Sequence, residues 1–185
     1  MKNIAILASG GGSNALKIIE HFATTDVAKV KIVCTNKEDA GVINIANQHQ
    51  VPVEVHSKLN KIHIHLFEKE HIDIIVLAGY IKKIPLELIH AFPGKIINIH
   101  PALLPKFGGK GMYGHHVHEA VVAAGEKESG ITIHYVDEHY DHGKHIFQAK
   151  TEIFPTDTPE MVAKKVLELE HFHYPKVIEK LLLES

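Results

Sequence analysis

The stretch "NIAILASGGGSNALKIIEHFAT", residues 3–24, sets the architecture. Residues 3–8 read as a strand that runs into three glycines. Residues 14–24 then carry apolar side chains at helical spacing. A strand that turns through glycines straight into a helix opens an α/β sheet, and the pattern repeats. "VKIVCT" (30–35), "VPVEV" (51–55), "DIIVLA" (73–78) and "KIINIH" (95–100) read as further strands, with helices over 40–49, 60–71 and 85–92 between them. The two strongest strands are apolar at nearly every position, as parallel strands covered on both faces should be. The pattern predicts a doubly wound, mostly parallel, Rossmann-like sheet.

The second half changes character. A helix over about 115–125 precedes "GITIHYVD" (130–137) and "HIFQAKTEIF" (145–154), which predict an antiparallel strand pair around a polar turn at 138–144. Thr158-Pro159 opens a long C-terminal helix, Thr as N-cap and Pro in the first turn, ending near Leu183. No repeat or linker divides the chain, so one domain over 1–185 is expected.

With 45% hydrophobic and 23% charged residues, the composition is that of an ordinary globular protein. A formal charge of −2 gives no basic field for nucleic acid or an anionic membrane. No apolar run is long enough to span a bilayer. One cysteine, Cys34, allows no disulfide within the chain, and the cytoplasm is the expected compartment. Small molecules are the expected partners, with a monomer or homodimer as the assembly.

Ligands of open α/β sheets bind beyond the carboxyl ends of the strands. Three polar strand ends matter here. Gly10-x-Gly12-x-x-Ala15 formally fits a dinucleotide fingerprint, but strand two ends in Thr35-Asn36, without the acid that would hold a ribose. Gly12, Ser13 and Asn14 at a helix start suit a single phosphate better. Asn98 and His100 stand two apart at a strand end, so both face one side. An amide and an imidazolium there can hold a developing oxyanion, with no Ser, Cys or Thr placed beside them as nucleophile. Asp141, before His142-Gly143, sits where a turn can aim it inward and raise the pKa of His100.

Histidine is the outlier, with 17 copies. His115, His116 and His118, and again His139, His142 and His145, raise the question of metal. Neither set has the spacing of a convergent ligand set, so no metal is expected.

Taken together, "ILASGGGSN" (5–14), "TNKEDAGV" (35–42), "VLAGYIKKI" (76–84), "INIHPALLPKFGGKG" (97–111), "GITIHYVDEHYDHG" (130–143), "IFQAK" (146–150) and "LEHFHYP" (169–175) resemble the phosphoribosylglycinamide formyltransferases, or glycinamide ribonucleotide transformylases, over nearly the whole chain. The resemblance implies the formyltransferase version of the α/β fold, with a phosphate-binding half (1–100) and a folate-binding, catalytic half (101–185). It implies transfer of a formyl group from 10-formyltetrahydrofolate, as co-substrate, to the amine of 5'-phosphoribosylglycinamide in purine synthesis. Asn98 and His100 would bind the oxyanion, and Asp141 would keep His100 protonated. Gly12, Ser13, Asn14 and Glu170 would hold the ribonucleotide. Ile81, Lys82, Lys83 and Ile84, with Asn98, would line the folate site. Two stretches depart from the family pattern: the longer "LLPKFGGKGMYG" loop, and Asp141-His142-Gly143-Lys144 where a DGGP turn is usual. Lys58 and Lys82 are the candidates for the folate tail. Formyl transfer to methionyl-tRNA, which would call for a further C-terminal domain, and a histidine-rich metal store are the rival expectations.

Overall fold

A computed structural model describes residues 1–185. Seven strands form one sheet: β1 (Lys2–Leu7), β2 (Ala28–Thr35), β3 (Val53–Val55), β4 (Ile74–Leu77), β5 (Ile96–His100), β6 (Glu128–Tyr135) and β7 (His145–Glu152). Their hydrogen-bonded order is β3-β2-β1-β4-β5-β6-β7. Six helices complete the chain: α1 (Ser13–Phe22), α2 (Val42–Gln48), α3 (Lys61–Lys69), α4 (Leu86–Ala91), α5 (His115–Ala123) and α6 (Pro159–Glu184). No helix is long and apolar enough to cross a membrane.

The chain packs as two compact units, residues 1–97 with 175–185, and residues 98–174. In the first, β1 pairs in parallel with β2 on one side and β4 on the other. Ile4 to Leu7 are wholly buried, which is why this strand shows no alternation in sequence. The register with β2 shifts once, between Ile4 and Ala5. Helix α1 covers this layer with Ala15, Ile18, Ile19 and Phe22, spaced at three and four residues. Burying each of its larger side chains contributes about 1.5–3 kcal/mol before entropy is counted. The chain order reverses at β1, so its carboxyl end, Ser9 to Gly12, lies at the switch point where such sheets bind ligands. Gly12 sits there at φ 81°, and a Cβ on it would come within 2.8 Å of the Val42 backbone. Only glycine fits, on both counts.

In the second unit, β6 and β7 form an antiparallel ladder from Glu128↔Glu152 to His134↔His145, with an irregularity between Ile133 and His134. β6 starts at Glu128, two residues before the sequence pattern suggests, because pairing with Thr151 and Glu152 extends the ladder past Gly130. The cap of the last helix is as the sequence implies: the Thr158 hydroxyl accepts from Met161 N at 3.3 Å, and Pro159 takes the first turn.

Candidate functional site

Three titratable groups of the second unit, His100, His134 and Asp141, meet around the end of β5. Asn98 and His100 leave one face of that strand, and His100 is 4% exposed. The chain then turns through 101–109 and comes back under the ring. His100 Nε2 lies 2.7 Å from the Phe107 carbonyl oxygen. A carbonyl can only accept, so Nε2 carries the proton. That leaves Nδ1 facing Asp141 Oδ2 at 3.7 Å. In the neutral ring this is a lone pair opposite a carboxylate, and protonation turns it into an ion pair.

Asp141 stands on the turn between β6 and β7 at φ 57°. Its Oδ2 accepts from Gly109 N at 2.8 Å, and its Oδ1 lies 3.6 Å from His134 Nε2. The approach depends on Gly108: a Cβ there would sit 3.3 Å from Asp141 Cβ and collide with Leu104. His134 Nδ1 donates to the Tyr135 carbonyl at 2.9 Å, so in the neutral ring Nε2 accepts from the Asn98 amide at 3.2 Å. One carboxylate is thus shared by two buried imidazoles, and one carboxamide touches the second of them.

The electrostatics pull in opposite directions. Burial pushes the His100 imidazole below its ordinary range; Asp141 and the Phe107 carbonyl raise it again, and His134 lowers it, leaving the net direction down. The sequence reading expected Asp141 to raise this histidine. The carboxylate does act that way, but removal of the ring from water outweighs it. Burial alone would raise the Asp141 carboxyl. The nearby His134 ring, the charge of His100 and the Gly109 N–H outweigh it and hold the group below the usual carboxylate range.

His134 was missed in sequence. Its signal was there, since Thr132 and His134 break an otherwise apolar strand on one face of the period-two pattern. It read as strand filler because nothing local shows that Asn98 and Asp141 meet at that ring.

The other nominated residues stand as follows. Gly12, Ser13 and Asn14 form the start of α1 in the first unit, with no side-chain cap on Gly12. The first N–H groups of a helix have no acceptor within it, which suits an anion. Ser9, just before them, donates through its hydroxyl to Asn36 Oδ1 and accepts from Ile81 N at 3.0 Å. Ile81 is half exposed and Lys82 and Lys83 are exposed, whereas Ile84 is buried in the core, so this segment does not turn a single face outward. Lys58 is exposed. Glu170 is buried on α6, one turn before the fully buried Tyr174.

The remaining histidines are dispersed. His115 pairs with Glu119 and Glu160, and His116 with Glu119, on exposed surface. No group of three or more His, Cys, Asp or Glu side chains has metal-holding geometry. Cys34 is buried in β2, and burial with Glu54 nearby pushes its thiol up to about 12, so it is no nucleophile.

A family model described as formyl transferase matches residues 2–178. The chain is 43% identical over 187 residues to the chloroplastic phosphoribosylglycinamide formyltransferase of Arabidopsis thaliana, covering 96% of this chain and 64% of that protein. It is 39% identical over 192 residues to the phosphoribosylglycinamide formyltransferase of Bacillus subtilis, covering 98% and 95%. The chain thus spans under two thirds of the length of the plant relatives, 64% and 62%, and nearly all of the bacterial one. Among solved structures, the phosphoribosylglycinamide formyltransferase of Anaplasma phagocytophilum superposes with a TM-score of 0.90 at 31% identity, covering 99% of this chain and 88% of that one.

Proposed function

The chain belongs to the formyl transferase family, and from that membership we propose that it moves the formyl group of 10-formyltetrahydrofolate to the amine of 5'-phosphoribosylglycinamide, a step of purine synthesis. The observation that carries the proposal is the shared carboxylate: Asp141 within 3.7 Å of His100 and 3.6 Å of His134, with Asn98 beside them. This set suits direct acyl transfer, in which the amine nitrogen attacks the formyl carbon. The carbonyl oxygen then carries the charge. Asn98 Nδ2–H turns from His134 to that oxygen, and His100 gives it Nε2–H in exchange for the Phe107 carbonyl. As the bond from carbon to N10 breaks, one proton passes from the amine to N10. His100 enters the step as the imidazolium, its Nδ1–H held by Asp141: Nε2–H passes to N10 as the bond breaks, and the same nitrogen takes the amine proton back, so the ring ends as it began. Atoms and charge balance with that single proton.

The helix start at Gly12, Ser13 and Asn14 is assigned the phosphate of the ribonucleotide, on its unoccupied space: nothing lies within 4 Å of a Cβ built on Gly10 or Gly11. Glu170 is assigned to the ribonucleotide, and Ile81, Lys82, Lys83 and Ile84 to the folate. The test is release of tetrahydrofolate with three acceptors in turn. Turnover is expected with 5'-phosphoribosylglycinamide alone. Turnover with water or methionyl-tRNA, or none with the ribonucleotide, overturns the proposal.

A further inference from the structure

Both partners of His100 are supplied through one loop. Phe107 gives the carbonyl that holds Nε2, and Gly109 gives the N–H that holds Asp141. Residues 101–109 have no regular secondary structure, so something other than a backbone ladder must fix where those two groups fall.

The side chain of Thr132, on β6, does this. It is wholly buried, and its hydroxyl uses all three of its hydrogen-bonding positions. It donates to the Ala102 carbonyl at 2.7 Å, accepts from Leu104 N at 3.0 Å, and accepts from Gln148 Nε2 at 2.8 Å. The same Gln148 nitrogen donates its second proton to the Leu104 carbonyl at 3.0 Å. Backbone groups on both sides of Leu103 are therefore clamped to the β6–β7 ribbon by two side chains. Three residues further on, the same backbone meets His100.

We propose that Thr132 is a positioning residue: its hydroxyl fixes the 102–104 backbone, and through it the placement of the Phe107 carbonyl and the Gly109 N–H around His100 and Asp141. The kinetic part of this rests on the formyl-transfer reading above; the placement of the ring does not. Thr132→Val keeps the shape and removes the hydroxyl, leaving Leu104 N and the Ala102 carbonyl without their partner. Thr132→Ser keeps the hydroxyl.

The experiment is a titration of His100 by NMR in both variants, with kcat and KM measured beside it. In Thr132→Val the loop relaxes, the Phe107 bond that favours the imidazolium weakens, and the His100 titration moves to lower pH. Displacing a reacting group by about 1 Å can cost roughly 100-fold in rate, so kcat is expected to fall about 10- to 100-fold with little change in KM. Thr132→Ser restores both readouts. A Val variant with the wild-type titration and kcat overturns the proposal, and so does a Ser variant as impaired as the Val one. Should the Val variant not fold, Gln148→Leu removes the outer bond from an exposed position. It is expected to move the titration the same way by less, and an unchanged titration there also overturns the proposal. If the ribonucleotide proves not to be an acceptor, the NMR readout still decides, so the two failures are told apart.

Discussion

His56 and His63 in the first unit are buried as deeply as His100 and His134 in the second, at 8% and 4% exposed against 4% and 2%. Their surroundings differ in the groups that meet the rings. The second pair shares the carboxylate of Asp141. The first pair has a phenol: His56 Nε2 lies 2.9 Å from Tyr80 Oη, and the His56 and His63 rings pack edge to face at 4.6 Å. The opposite nitrogens, His56 Nδ1 and His63 Nε2, are buried without a partner. Burial, helped by His63, pushes His56 down to about 4, and burial lowers His63 too, although Glu54 and Asn60 raise it in part. Burial thus disfavours the charged form of a histidine, and a carboxylate at hand opposes it. The residue type is the same in both regions, and only the second is assigned chemistry in the proposal above.

The comparison can be broken first where the effect is largest. Asp141→Asn should turn the second pair into the likeness of the first, moving the His100 titration further down because the carboxylate that raises it is gone. Losing an oxyanion donor costs roughly 100- to 1000-fold in kcat, and a loss of about that size is expected from Asp141→Asn and from His100→Ala, with smaller changes in KM. Because the two act together, the double variant should be little worse than the worse single one. Losses that multiply in full, or a His100 titration unmoved in Asp141→Asn, would show that the carboxylate does not govern the ring.

Next comes stability against pH. An unfolded histidine titrates near 6.5, about two and a half units above His56 in the fold, so the unfolded chain binds more protons between those values. The contribution is complete above about pH 6.5 and is lost as pH falls toward 4, amounting to about 2 kcal/mol by pH 5. His100, whose pKa is also lowered, adds to the same fall. His56→Gln keeps a hydrogen-bonding group beside Tyr80 but cannot titrate. Its melting temperature should therefore drop less than wild type between pH 7 and pH 5, and equal drops would remove His56 from the account.

A third change sharpens the contrast from the other side. Tyr80→Glu gives His56 a carboxylate of its own. The His56 titration, followed by NMR, should rise by roughly 1–2 units. A ring that stays near its wild-type value would mean that burial, not the missing charge, sets the difference.

The smallest effect extends the rule to sulfur. Cys34 is buried and, with Glu54 rather than a cation nearby, its thiol is held up near 12. Iodoacetamide should leave the native protein unlabelled over hours and modify it promptly in denaturant. Rapid native labelling would show that the centre of β2 opens.

The sheet was legible because its instructions are local. Four successive apolar residues in Ile4–Leu7 and in Ile74–Leu77 say that both faces are covered, and Gly10 to Gly12 say where the chain turns. Asn98 and His100 were legible for the same reason: period-two geometry puts them together whatever the fold does elsewhere. The edges of elements were less so. Glu128 and Ser129 look like a polar turn and become strand only because Thr151 and Glu152 pair with them.

By itself, then, the sequence determined the strand-turn-helix repeat, the glycine turn after β1, the cap at Thr158 and the pairing of Asn98 with His100. Each follows from backbone geometry within a few residues. Tertiary structure alone decided that Asp141 reaches two histidines 41 and 7 positions earlier, His100 and His134, that Thr132 clamps Ala102 and Leu104, and that burial pushes His56 and His63 down. Those outcomes depend on which groups lose water and which charge lies within a few ångströms when they do. Residues far apart in the chain set both quantities.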